Sequence, residues 1–451
     1  MMAAMNAMNA TKPSGKVDTN HEDTNLPAAP TASGFLRTAL VRLRYQPIAD
    51  AGPPPDGGII AWSQVLGAHF TVCNTWGYIT TFGMFQSYYE QILPQSASTI
   101  SWIGGVQVFL LFFIGTFSGR AADAGFFRPV WAVGAVLTLL GIFMISICDQ
   151  FWQIFLVQGV CMGLGCGLMF CPVLSLMPTY FARHRSLAVG LAATGSAVGG
   201  LIFPAIVERL LPRIGFSWTV RTLGLLTLVM LSLSFILLRQ RVPPRKSSRI
   251  VDWQAFQEPA YFAFAVGMFF NFWGLYVAFF YITTFARQVT GLSQASSIYL
   301  LLIMNGVGIF ARTVPNFLAD RFTGPINLLI PSTLLSGVLL LCWISITTEP
   351  QLYAFSVFYG IFSAAVQALF PATLASLTTD MEKIGVRMGM VLSIVSFAAL
   401  TGSPIAGALV SQGNGSYVYA QIFAGVSMFV GTGMVVIARG FTAGFKFKVK
   451  V

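Results

Sequence analysis

Arg312 lies in a stretch that is otherwise almost wholly apolar, and a guanidinium in that setting needs a reason. An arginine at the centre of a bilayer costs at least ~2.5–3.5 kcal/mol on insertion scales, so it takes a partner or a wet cleft. Asn305, Gly308, Arg312 and Asn316 follow one another at three- and four-residue steps, which gives a helix one polar face. On that face the planar fork of Arg312 either grips a carboxylate, or turns toward the membrane surface, or pairs with Asp320. His69 poses a similar question. It stands nine positions after Ile60, about 13 Å along a helix, and imidazole titrates near neutral pH. It either carries a proton or ties its helix to a neighbour by a hydrogen bond.

Little else in the chain could do chemistry. The six cysteines fall within or beside apolar runs, and Cys161, Cys166 and Cys171 step by five, which spreads them around a helix and matches no metal spacing. They read as packing residues. No nucleophile–base pair, metal set or phosphate loop emerges, so the expectation is a protein that is not an enzyme, has no cofactor and is not driven directly by ATP.

These residues must be positioned by helices in lipid. Of 451 residues, 55% are hydrophobic and 9% charged, whereas soluble domains run near a quarter charged. Apolar runs of about 20 residues recur between short polar breaks, and each can cross ~30 Å of hydrocarbon. The expected spans are 60–85, 101–119, 129–148, 151–177, 186–207 and 217–238, then 260–284, 295–319, 326–347, 351–377, 387–410 and 417–438. The expected fold class is therefore an all-α membrane protein with twelve transmembrane helices in two six-helix parallel-repeat bundles.

The repeat shows in matched signposts. Ala122-Asp123 ends the second span and Ala319-Asp320 the eighth, 197 positions later; Arg185 opens the fifth and Arg387 the eleventh, 202 positions later. The organisation expected is a disordered tail over 1–55, bundles over 56–238 and 259–438, a linker over 239–258 holding Arg245, Lys246 and Arg249, and a tail over 439–451. Within the first tail, Phe35, Leu36, Ala39, Leu40 and Leu43 recur beside arginines, which fits either a surface helix or a charged tail with little structure. Met1 to Ala10 lacks an apolar signal core, so the first span is expected to direct insertion.

The net charge of +11 does not indicate nucleic acid, because no aromatic-interleaved basic patch accompanies it. With both termini in the cytoplasm, the tails and even-numbered loops hold about 21 of the 26 Lys and Arg. That bias sets the expected orientation. Asn414-Gly415-Ser416 then falls in the last external loop as a glycosylation sequon, while Asn9-Ala10-Thr11 stays inside.

The span pattern, with Asp123 and Asp320-Arg321 in the loops, resembles the major facilitator superfamily. Two finer motifs resemble its monocarboxylate porter family, in the fungal branch: Asp56-Gly57-Gly58 through Trp62 leading into span 1, and Tyr180-Phe181-Ala182-Arg183-His184-Arg185 through Gly190 entering span 5. Ala311-Arg312 resembles that family's intramembrane arginine, and Phe370 its selectivity phenylalanine. The resemblance covers about residues 56–438. It implies alternating-access transport, typically of a short carboxylate with a proton.

It also implies that spans 1 and 7 line a cavity. Asn74, Trp76, Tyr78, Thr80 and Thr81 on the first, and Asn271, Gly274 and Tyr281 on the second, become candidate substrate contacts beside Arg312 and Asn305, or else interhelical hydrogen bonders. Asp123, Arg128, Asp320 and Arg321 become candidates for latching the two halves, each acid near a helix N-terminus or opposite Arg128. The chain departs from the family at two places. Gly308 stands where the carboxylate carriers have an aspartate, and Thr80 where they have a proton-handling lysine; His69 lies on nearly the same helix azimuth as Thr80.

The expected function is secondary transport of a small organic solute, a monocarboxylate or related anion, with or without H+, across the plasma membrane. The alternatives are export of a more apolar fungal secondary metabolite and a nutrient sensor that does not transport. The partners expected are the small molecule and the lipid bilayer.

Overall fold

Lipid offers a backbone no hydrogen bonds, so each crossing must satisfy its own amides. In a computed structural model the described residues are 52–95, 97–241, 251–378, 380 and 383–444, and among them every regular element is helical. Most of the expected N-terminal tail with its Phe35–Leu43 stretch and Asn9 sequon, the linker residues Arg245, Lys246 and Arg249, and residues 445–451 lie outside that description.

Helix α1 runs over Gly58–Val72, passes through a π-helical turn at Cys73–Gly77 and resumes at Phe82–Ile92. Helix α2 is Ala97–Phe113 with Gly115–Ala121, α3 is Phe127–Ile145 and α4 is Phe151–Tyr180. One continuous stretch, Arg185–Leu237, holds α5 before Gly215 and α6 after it. The second half has α7 (Pro259–Val289), α8 (Gln294–Leu318), α9 (Pro325–Cys342), α10 (Glu349–Leu377), α11 (Ile384–Gln412) and α12 (Val418–Ala443).

By length and composition, nine continuous stretches among the described residues could cross a membrane. Two of them fold back on themselves. Gly125 and Gly215 take positive φ, at 87° and 73°, and each marks a reversal. Along α4, Gln107 of α2 meets Gly163 and Leu110 meets Gly167, but Gly134 of α3 meets Gly165 and Gly141 meets Met162. So α2 runs parallel to α4 and α3 antiparallel. Likewise Gly195 and Gly199 of α5 follow His69 and Cys73 of α1, whereas Ser234 and Arg239 bond back to Gly67 and Gln64. With these two stretches counted as pairs and the interrupted α1 included, the described residues supply twelve crossings.

The face where α1, α5, α7 and α11 begin is called here the near face. Large apolar side chains such as Ile236, Phe310 and Phe441 remain exposed on the outside of the bundle, as suits a surface whose solvent is hydrocarbon.

Candidate functional site

Between the two halves lies a cavity, and about 470 Å³ there, open solvent included, is not filled by protein atoms. The first half contributes Val72, Trp76, Phe112, Phe170, Leu174 and Ser196, and the second Phe272, Tyr276, Arg312, Gln367, Phe370 and Leu392. The π-helical turn of α1 carries Trp76, which lies 5.3 Å from Phe112 and 5.5 Å from Tyr276 of the other half, centroid to centroid. Such single-turn π-bulges commonly mark functional positions in helices. Phe370 packs on Phe264 and Phe272.

Arg312 is the one charged group among the described residues lining this space. It is 3% exposed. Its Nη2 donates to Oε1 of Gln367 on α10 at 3.3 Å, and its Nη1 is buried without a hydrogen-bond partner. Asp320 is not its partner, because that carboxylate accepts from backbone amides of α5. The arrangement is a largely aromatic chamber whose wall includes one guanidinium with a buried Nη1 that has no hydrogen-bond partner.

Of the nine residues expected at the substrate, the structure brings Arg312, Trp76 and Phe370 to the cavity. The other six lie outside its lining. Asn74, Asn271 and Asn305 turn their amides back to the carbonyls of Phe70, Gly267 and Leu301, one helical turn earlier. Thr80 donates to Gly77, and Tyr281 to the carbonyl of Ser403 on α11. Tyr78 is buried against Phe85 and Phe203. A polar side chain on a transmembrane helix can donate to its own backbone, which sequence spacing alone does not reveal. The residues missed were Tyr276, Gln367 and the phenylalanines. The one available signal was that Phe272–Tyr276 and Gln367–Phe370–Pro371 share helix faces.

His69 also stays outside the cavity lining. Its Nδ1 lies 3.2 Å from the carbonyl of Leu191 and 3.1 Å from Oγ1 of Thr194, both on α5. The Thr194 hydroxyl itself donates to Leu191, so Nδ1 carries the hydrogen that ties α1 to α5.

The near-face ends of the halves are fastened together. Asp123, in the π-helical turn closing α2, accepts from the amide of Val386 at the start of α11, at 2.9 Å. Asp320, in the matching turn after α8, accepts from Ser186 and Leu187 at the start of α5, at 3.0 and 2.7 Å. Each acid meets unpaired amides and the positive end of a helix dipole. Arg185 donates to the carbonyl of Ala375 on α10, adding a third tie. At Gly190 a Cβ would fall 2.5 Å from the carbonyl of Arg312, so α5 and α8 can cross this closely only there without a side chain. The other two expected latch residues stand apart: Arg128 lies over the ring of Phe235, and Arg321 over Phe322.

The two sequence signatures meet physically. Asp56 accepts from the amides of Ala182 and Arg183, both at 2.6 Å, and its own amide donates to Tyr180. Trp62 packs on Phe181 at 5.0 Å, and Gly58 takes a φ of 82° that lets the chain turn into α1 after Gly57. Arg241 closes the same region by donating to the carbonyls of Gly52, Pro53 and Thr179. In the second half, 202 positions on, Glu258 receives Nη1 of Arg387 at 2.9 Å, with Asp252 3.4 Å from Nε. Sequence reading used Arg387 only as a repeat marker, yet it is a buried ion-pair centre. At the far face, Asn414 sits exposed in the turn between α11 and α12, with a φ of 52°.

Comparison with known proteins agrees with this architecture. The profile of the Major Facilitator Superfamily matches residues 68–323. An MFS-type transporter of Gibberella zeae is 45% identical over 393 residues, covering 87% of this chain and 89% of the relative. The aspyridones efflux protein of Emericella nidulans is 37% identical over 385 residues, covering 85% and 78%. Among solved structures, the human organic anion transporter MFSD10 is similar with a TM-score of 0.65 at 13% identity, covering 84% and 98%; at that identity the likeness carries the fold alone. Two fastened six-helix halves around a central cavity, together with these relatives, identify the chain as a multi-pass membrane transporter that belongs to the Major Facilitator Superfamily.

Proposed function

We propose that this transporter exports a small secondary metabolite that has an apolar, aromatic-sized body and one acidic group. The observation that carries this reading is the buried, unbonded Nη1 of Arg312 in the wall of a chamber whose lining includes Trp76, Phe112, Phe170, Phe272, Tyr276 and Phe370. A buried guanidinium with one nitrogen left unbonded favours an anionic ligand, and a carboxylate matches its fork. Aromatic walls favour a body larger and less polar than lactate. The named efflux activity of the Emericella nidulans relative supports export. The resemblance of the two signatures to the monocarboxylate porters supports a carboxylate as the acidic group.

In this reading the near face is cytoplasmic, both termini lie inside, the plasma membrane is the site of action and Asn414 carries a glycan outside. The excess of Lys and Arg in the tails and even-numbered loops supports that orientation. His69 acts in this reading as a tie between helices rather than as the carrier of a coupling proton, because its Nδ1 hydrogen is engaged by α5. Transport by purified protein in proteoliposomes, comparing 2-naphthoate with its methyl ester at several pH gradients, tests the reading. Saturable movement of the acid in preference to the ester supports it. Equal movement of both, or of neither, overturns it.

A further inference from the structure

We propose that Gly308 is a specificity-determining position: by having no side chain, it lets the guanidinium of Arg312 lie back along α8 and so keeps the cavity open to bulky solutes. The inference rests on the reading of the cavity as the site of an acidic solute. A Cβ at position 308 would stand 2.3 Å from Nη1 of Arg312, well inside contact distance, and 3.6 Å from its Cζ, in ordinary contact. The same Cβ would meet Cβ of Ala364 on α10 at 3.4 Å, so the space is bounded on that side as well. Nη2 is anchored to Gln367 of α10. The guanidinium therefore occupies a niche between α8 and α10, at the wall of the chamber, with Nη1 free.

A methyl group at 308 takes that niche. The guanidinium is the far end of a flexible side chain, so it moves rather than the helix, and α10 at Ala364 and Gln367 limits movement in that direction. The remaining direction is into the chamber, toward Trp76 and Tyr276, where the displaced group narrows the space left for the body of a solute. A small acid still reaches the charge; a large one meets the charge too soon. Folding is not at issue, since alanine is the better helix former.

The test uses full-length protein in proteoliposomes and three aromatic acids of rising size: benzoate, 2-naphthoate and anthracene-9-carboxylate. Gly308→Ala is expected to lower the rate for the largest acid relative to benzoate by about 10-fold or more, the scale on which pocket size discriminates. Gly306→Ala is the control, because it makes the same change on the same helix where a Cβ meets nothing within 4 Å. It is expected to keep the wild-type ratio. The inference is overturned if Gly308→Ala keeps the wild-type ratio, or if both variants change it alike. If the wild type carries none of the three acids, the acidic-solute reading itself has failed, and the inference falls with it.

Discussion

Ser393 on α11 donates its hydroxyl hydrogen to the carbonyl of Phe113 on α2, 2.7 Å away across the boundary between the halves. That carbonyl is available because α2 breaks at Ile114, where the amide of Phe117 turns to Ile114 instead. With its hydrogen so placed, Ser393 accepts from the hydroxyl of Thr116, also at 2.7 Å. The break in α2 thus leaves a carbonyl that α11 bonds across the boundary between the halves. Ser393→Ala should weaken closure by about 1 kcal/mol, roughly a fivefold shift in population. A cysteine placed at Ser196 in the cavity, in a cysteine-free background, should then be alkylated faster from the near face; an unchanged rate would remove Ser393 from the gate.

Asp320 accepts from the amides of Ser186 and Leu187 at the start of α5, and Asp123 from that of Val386 at the start of α11. Asp320→Ala and Asp123→Ala should each favour opening of the near face. The loss expected is about 0.5–2 kcal/mol, the range for removing a helix-capping oxygen. Distances between spin labels on the near-face loops of the two halves, measured by pulsed electron resonance, would report it. Equal distributions for wild type and Asp320→Ala would show that the tie carries no conformational weight.

Arg312→Gln should abolish transport of an acid, and Arg312→Lys should restore little of it. A lysine is a point charge that keeps neither the fork nor the bond to Gln367. A tenfold or greater loss in kcat/KM is expected for both, corresponding to about 1.4 kcal/mol or more of lost interaction with the solute. Full activity of Arg312→Lys would mean that charge alone suffices.

These residues also show how far the sequence could be read. The helical crossings were legible because lipid imposes the same demand on each: about 20 apolar residues with an internally bonded backbone. Arg312 was legible because charge is rare and costly there. Asn74 and Asn271 looked equally informative, but each donates to its own helix and lies outside the cavity lining. The walls were hardly legible at all. Phe112, Phe170 and Phe272 are three of 40 phenylalanines, and nothing in a lone sequence separates a phenylalanine that faces a solute from one that faces lipid.

His69→Asn should retain fold and transport, since the asparagine amide can donate where Nδ1 does now. His69→Leu should cost about 1 kcal/mol of stability through the lost tie to Leu191 and Thr194, read as a lower melting temperature in detergent. Neither is expected to change the pH profile of transport. A flattened profile in both would instead assign the coupling proton to His69.

Asn414→Gln should abolish a glycosidase-sensitive mobility shift in protein expressed in a eukaryotic secretory pathway. The side chain is exposed in a turn at the face opposite the latch. A shift that persists in the variant, or a wild type without one, would argue against a glycan on this loop.

The most direct measurement is a structure of the protein bound to an acid that it carries, such as 2-naphthoate. The carboxylate is expected within hydrogen-bonding distance of Nη1 of Arg312, with the ring system against Trp76, Tyr276 and Phe370. A ligand bound elsewhere, or one whose carboxylate points away from Arg312, would contradict the proposed site and the chemistry inferred from it.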